Sequence, residues 1–186
     1  SWARRCVKRQ LLASAETLQT ARHQIAKALE AEIKNELCDL YMDKADFKVT
    51  FTKGKFNRDG NEQVEFYIST NPGEAFKPLV KVASGGELSR LMLAIKSAFA
   101  RKEDKTSIVF DEVDTGVSGR VAQAIAQKIH KIGSHGQVLA ISHLPQVIAI
   151  ADYQFFISKE SDNETTVSRV RLLTPEERVQ EIAKML

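Results

Sequence analysis

Between Val7 and Tyr41 the chain has neither proline nor glycine, and its apolar residues recur at helical intervals. Leu11, Leu18 and Ile25 fall seven apart, and Leu29, Ile33 and Leu37 follow at spacing four. This pattern predicts one long helix. The change from seven to four near Ile25 makes the apolar stripe drift around the helix. Two architectures produce such a stripe: an amphipathic helix packed on its own domain, or the end of a coiled-coil arm that runs onto a globular body and whose partner strand is missing.

The period then changes to two. Phe47, Val49 and Phe51 alternate with polar residues, as do Val64, Phe66 and Ile68, with Gly54, Asp59 and Gly60 between the two runs. They predict two half-buried strands in a hairpin with a long connection. The stretch from Thr70 to Leu79, with its Asn-Pro-Gly core and second proline, reads as a loop. Beyond it, Leu88, Leu91, Met92, Ile95, Ala98 and Phe99 mark one face of a helix. A strand from Ser107 to Phe110 follows, then a helix with Val121, Ala122, Ile125, Ala126, Ile129 and Ile132 on one face. A strand from Gln137 to Ile141 and a short helix from Pro145 to Ile150 come next. Strands separated by helices of this length predict a parallel α/β sheet, and ligands of such sheets sit at the carboxyl ends of the strands. Asp111, Glu112, Ser142 and His143 all fall there. Two further strands, Tyr153–Ser158 and Thr166–Leu173, precede a closing helix with Thr174 as N-cap, Pro175 at its first position and Glu177 placed for a capping box.

Composition changes little in this picture. The chain has 186 residues, 43% hydrophobic and 27% charged, which fits one domain of ordinary size, or a domain with an appendage. A net charge of +3 does not by itself announce a nucleic-acid binder. Cys6 and Cys38 have neither metal-ligand nor obvious disulfide spacing, which fits a reduced, intracellular setting. No stretch approaches the roughly 18 consecutive apolar residues of a membrane span. The start lacks a secretion signal and is abrupt, as if cut from something longer. The expected location is therefore cytoplasmic, with no membrane partner.

Three short motifs carry candidate chemistry. Ser84, Gly85 and Gly86 directly precede a helix, where exposed backbone N–H groups at its positive end make an anion site or simply a cap. Asp111 and Glu112 close a buried strand. Adjacent carboxylates are costly unless something positive lies between them. They fit a magnesium ligand and a base that polarises a water attacking a phosphoryl group, or else two solvated acids opening a turn. His143 stands just past the next strand, on the same sheet edge, where it can hydrogen-bond a terminal phosphate; His23, His130 and His135 read as ordinary polar residues.

The order of these motifs, a helix-capping "SGG", a strand ending in "DE" and a strand ending in "SH" within about 60 residues, resembles the second half of an ABC-type ATPase head. Within that class, "VASGGELSRLMLAIK", "FDEVDTGVSGRVA" and "ISHLPQVIAIAD" look like the C-terminal part of the RecN family of bacterial SMC-like DNA repair proteins. Transporter heads match less well, having glutamine where Glu87 stands, and full SMC heads continue as "DEVDAALD" where this chain has "DEVDTGVSG".

The resemblance implies the C-terminal lobe of a P-loop ATPase head, residues 43–186, with parallel core strands and an N-terminal helix, residues 1–42, that ends a coiled-coil arm. Ser84, Gly85, Gly86 and Glu87 would be the signature motif, acting on a nucleotide held by a second head. Asp111 would take magnesium, directly or through water, Glu112 would be the catalytic base, Asp114, Thr115 and Gly116 the D-loop, and His143 the switch histidine. ATP and magnesium are the implied cofactors. The implied partners are an N-terminal half carrying the Walker A loop, a second head in an ATP-dependent homodimer, and DNA. The implied role is bridging or holding ends in double-strand-break repair and recombination, with nucleoid association. No G-x-x-x-x-G-K-[ST] loop occurs in the chain, so it is expected to be inactive alone. Two alternatives remain: a non-catalytic DNA-binding or dimerisation module using Lys77, Lys81, Arg101, Lys102 and Lys105, or the head of another SMC-like or Rad50-like protein.

Overall fold

A computed structural model describes residues 2–82, 85–100, 107–111, 113–114, 116–161 and 166–185. Ser1–Ala98 and Phe99–Leu186 form two compact units. No helix among the described residues is long and apolar enough to cross a membrane.

The first unit is built on the predicted long helix, α1 (Trp2–Asp39), which packs along a hairpin of β1 (Asp46–Asn57) and β2 (Gly60–Ser69). The predicted strand faces are borne out residue by residue: Phe47 pairs with Ile68, Val49 with Phe66 and Phe51 with Val64. The connection is not long. Strand β1 runs on to Asn57 and returns through Arg58 and Asp59 alone, with the Asp59 N–H donating to the Asn57 side chain at 2.7 Å and Gly60 in the left-handed region at φ 104°. Gly54, expected in the connection, lies inside β1. The polar residues that hid this extension are satisfied by α1: Gln19 donates to buried Asn61 at 2.8 Å, and His23 contacts Glu62 at 3.2 Å while stacking on Phe51 at 3.9 Å between centroids. Within the expected loop, β3 (Lys77–Pro78) adds a short antiparallel strand to β2, and a 3₁₀ turn spans Leu79–Lys81.

The apolar stripe of α1 also differs from its heptad reading. Ala15, Ala26, Leu29, Ile33 and Leu37 are buried, whereas Ile25 is 64% exposed and Leu11 46%. The hairpin selects this face, with the Val49 N–H donating to Glu30 at 2.8 Å and Lys34 donating to the Asp43 carbonyl at 3.0 Å. Burying Ile33, Leu37 and Leu40 fully contributes about 1.5–3 kcal/mol each. The helix stops in a Schellman arrangement: the Met42 N–H donates to Leu37 O at 2.9 Å and the Tyr41 N–H to Cys38 O at 3.1 Å, with Tyr41 at φ 58° where glycine is usual. Helix α2 (Gly85–Ala100) buries Leu91, Ile95 and Ala98 as expected, but Leu93 and Ala94 in place of Met92, and Phe99 is partly exposed. Arg90 reaches back to the Leu40 carbonyl at 3.5 Å.

The second unit holds the parallel pair that periodicity predicted. Strands β4 (Ser107–Asp111) and β5 (Gln137–Ile141) align in parallel register, joined by α3 (Gly119–Gly133), which buries Ala122, Ile125, Ala126, Ile129 and Ile132. Helix α4 (Pro145–Ile150) packs on α3. Strands β6 (Phe155–Ser161) and β7 (Thr166–Leu172) form an antiparallel hairpin, and α5 (Pro175–Lys184) closes the chain with the full capping box at Thr174 and Glu177. Ser118 stands at the N-cap of α3, but its side chain makes no capping bond. Two apolar faces of this unit are bare: Val109, Leu139 and Ile141 on one side of β4–β5, and Phe155, Ile157, Val170 and Leu172 on one side of β6–β7.

Candidate functional site

The parallel register sets the site. Ser107 pairs with Gln137 and the ladder ends at Asp111 with Ile141, so the chain leaves both strands at one edge. Buried Phe110 anchors β4 from below. Asp111, the next residue, turns to the opposite face and is exposed, beside Val109. Glu112, expected as the base, lies outside the described residues, as do Thr115 of the D-loop and Ser84 of the signature motif.

Past the strand end the chain makes a turn closed by the Val117 N–H on the Asp114 carbonyl at 3.4 Å, with Gly116 at φ 71°. A non-glycine residue there would be strained. This turn drives Asp114 inward. Its carboxylate has no exposure, its Oδ2 accepts a hydrogen bond from the Ser142 hydroxyl, and its Oδ1 has no hydrogen-bond partner among the described residues. From β5, Ser142 accepts the Leu144 N–H at 3.1 Å and so brackets His143, whose Nδ1 stands 3.9 Å from Asp114 Oδ1. Sequence reading placed Asp114 in the D-loop by resemblance and set Ser142 at the strand end without a task; a short-range pattern cannot report a bond across 28 positions.

The signature-motif candidates stand at the start of α2 in the first unit. Gly85 is exposed with open space where a Cβ would stand, Gly86 accepts from Arg90 Nε at 3.3 Å, and Glu87 lies in the first helical turn. Lys77 and Lys81 of the candidate basic surface are exposed; Arg101, Lys102 and Lys105 fall outside the described residues.

Chemically, the edge offers an exposed carboxylate, an exposed imidazole and a buried carboxylate beneath it. A magnesium ion carried on phosphates takes one or two protein carboxylates and otherwise phosphate and water oxygens, a demand that a lone exposed Asp111 fits. Among the described residues no three His, Cys, Asp or Glu side chains gather to cage a metal by protein alone.

No protein-family profile matches the chain. Individual proteins do. The chain is 54% identical over 174 residues to the DNA repair protein RecN of Halalkalibacterium halodurans, covering 91% of this chain and 31% of that protein. It is 51% identical over 177 residues to the DNA repair protein RecN of Bacillus subtilis, covering 87% and 31%. The chain thus spans about a third of the length of these curated relatives. Among solved structures it resembles the Smc head domain with a coiled coil and joint from Pyrococcus yayanosii, with a TM-score of 0.66, 19% identity, and 89% of this chain and 30% of that one covered. It also resembles a chain solved in work on ATP-driven dimerisation and DNA-stimulated activation of SMC ATPases, with a TM-score of 0.58, 17% identity, and 89% and 96% covered. At these identities the structures speak for the fold: a mixed α/β SMC head with a long N-terminal helix and a parallel strand pair. The sequence matches speak for descent: the chain is homologous to the C-terminal portion of the DNA repair protein RecN of several bacteria.

Proposed function

We propose that the chain is the C-terminal lobe of an SMC-like ATPase head, residues 43–186, carried on the end of a coiled-coil arm, residues 1–42, in a protein of DNA double-strand-break repair and recombination. The observation that carries this reading is the common edge of β4 and β5, where Asp111 and His143 emerge from two parallel strands at the place such sheets use for ligands.

ATP with magnesium supplies the phosphoanhydride whose hydrolysis drives the cycle. In this reading Asp111 holds the magnesium, directly or through water. Glu112 takes a proton from the attacking water, and His143 hydrogen-bonds the terminal phosphate. Gly85 and Gly86, with Ser84 before them and Glu87 after, offer the N-terminus of α2 to the nucleotide of a second head; Asp114, Thr115 and Gly116 form the D-loop. Hydrolysis opens the homodimer of heads, and the cycle serves to hold or bridge DNA ends.

Two further features support the need for a partner lobe. The chain has no phosphate loop, and a parallel strand pair with one bare apolar face is not a self-sufficient sheet. The N-terminal portion of the same protein, carrying the Walker A loop, is the proposed cover. Co-expression of the chain with that portion is expected to yield ATPase activity that Glu112→Gln abolishes, while the chain alone hydrolyses nothing. Absence of turnover in the complex, or turnover that survives Glu112→Ala, would refute the enzyme and leave a non-catalytic dimerisation or DNA-binding module.

A further inference from the structure

Asp114 is the most deeply enclosed acidic side chain among the described residues. One of its oxygens is used by Ser142 and the other, equally removed from water, has no hydrogen-bond partner among the described residues. A buried carboxylate in that condition is unfavourable unless a donor answers it. One group is placed to do so. His143 Nδ1 lies 3.9 Å from the orphan Oδ1, and its side chain is 66% exposed, hence free to turn. The present separation is too long for a hydrogen bond, and moving the ring inward by about 1 Å makes one.

The backbone on either side of His143 is already tied to the same carboxylate. Ser142 donates its hydroxyl proton to Asp114 and accepts the Leu144 N–H, so the residues before and after the histidine are fixed while its ring is not. Resting on the reading of His143 as the phosphate-facing histidine, we propose that Asp114 is its positioning residue. In the working state the Nδ1–H of His143 donates to Asp114 Oδ1. This hydrogen bond fixes the ring plane and sets a proton on Nδ1. The Nε2 atom is thereby aimed away from the buried carboxylate, where it accepts from a water or, when it also carries a proton, donates to a phosphate oxygen. Ser142 holds Asp114 in place, and the turn after β4 is thus coupled to the loop after β5 through a single carboxylate.

The test uses ¹⁵N-histidine in the chain and in its complex with the N-terminal portion, with long-range ¹H–¹⁵N spectra near pH ~8.5, where an ordinary histidine is neutral. The proton of His143 is expected on Nδ1, with Asp114→Asn shifting it toward Nε2; a proton on Nε2 in the unsubstituted protein overturns the proposal. In kinetics, Asp114→Asn is expected to lower kcat by about 10²-fold with KM for ATP changed less than about twofold, and to add nothing when His143 is already alanine. Independent, additive losses overturn it. Should Asp114→Asn fail to fold, Ser142 decides: Ser142→Ala is expected to lower kcat and Ser142→Thr, which keeps the hydroxyl, to restore it, whereas equal losses in both overturn the coupling. If the unsubstituted complex turns over no ATP, the proposed function falls while the tautomer measurement still decides the dyad.

Discussion

Asp111 and Ile141 are the last register partners of β4 and β5, so the two strands, 30 positions apart in the chain, end together at one edge of the sheet. The whole candidate site in the second unit follows from that pairing: Asp111 at the edge, Asp114 turned under it, and Ser142 and His143 arriving from the neighbouring strand. Outside this edge, the chain makes four further predictions.

Tyr41 holds the left-handed position that ends α1, and its side chain is more than half exposed. A side chain with a Cβ is strained there, whereas glycine is not. Tyr41→Gly is expected to raise stability by about 1 kcal/mol in urea unfolding, the relief of strain exceeding glycine's extra freedom in the unfolded chain. A loss of stability would show that the tyrosine ring holds more than its exposure suggests.

Leu29 and Ile25 separate the two readings of the apolar stripe. Leu29 is buried on the hairpin and Ile25 faces solvent. In the chain alone, Leu29→Ala is expected to cost about 2–5 kcal/mol and Ile25→Ala less than about 0.5 kcal/mol. If residues 1–42 end a coiled-coil arm, Ile25→Ala acquires a cost once the partner strand is supplied, measured as a fall in the melting temperature of the complex.

Glu177 has its carboxyl held below the ordinary value of 4.5, first by the Thr174 backbone N–H and then by Arg171. Because the folded value is depressed, the charged carboxylate contributes its stability above 4.5 and loses it as pH falls through the folded value. Glu177→Gln keeps the capping geometry and removes the charge. The variant is expected to be less stable than the parent near neutral pH, with the difference vanishing in acid; a pH-independent difference would assign the effect to geometry alone.

Arg178 of α5 donates to the carbonyls of Ile148, Ala151 and Asp152 at the end of α4, at 3.4 Å for Ile148 and 3.1 Å for Asp152. A planar fork suits three acceptors as a single ammonium does not. Arg178→Met is expected to cost about 1–3 kcal/mol, and Arg178→Lys to recover less than half of it, by chemical denaturation.

The elements were legible because their periods are clean. Helix α3 buries five of the six residues predicted for its face, α4 has the predicted bounds, and the capping box of α5 is present as read. What the sequence hid was tertiary. Leu11 and Ile25 look like core by heptad, but the β1–β2 hairpin chooses the face through Ala15, Ala26 and Leu29, and small alanines carry little signal in a hydropathy pattern. The polar tip of the hairpin reads as loop because its partners, Gln19 and His23, lie some 40 positions earlier. At the site, strand ends located Asp111 and His143, whereas the burial of Asp114 depends on a turn that folds it under the sheet edge and on Ser142 across it.

Gln19, His23, Glu30 and Lys34 are each fastened to the hairpin or the segment leading into it. At 1.5 Å per residue that is roughly 22 Å of helix clamped to a sheet. A rod clamped over such a length transmits torque and bends only beyond the clamp, so flexure of α1 is confined to the stretch before Gln19. Any twist delivered from the far end of the helix therefore reaches β1 and β2 as rotation, with no compliant joint between to absorb it.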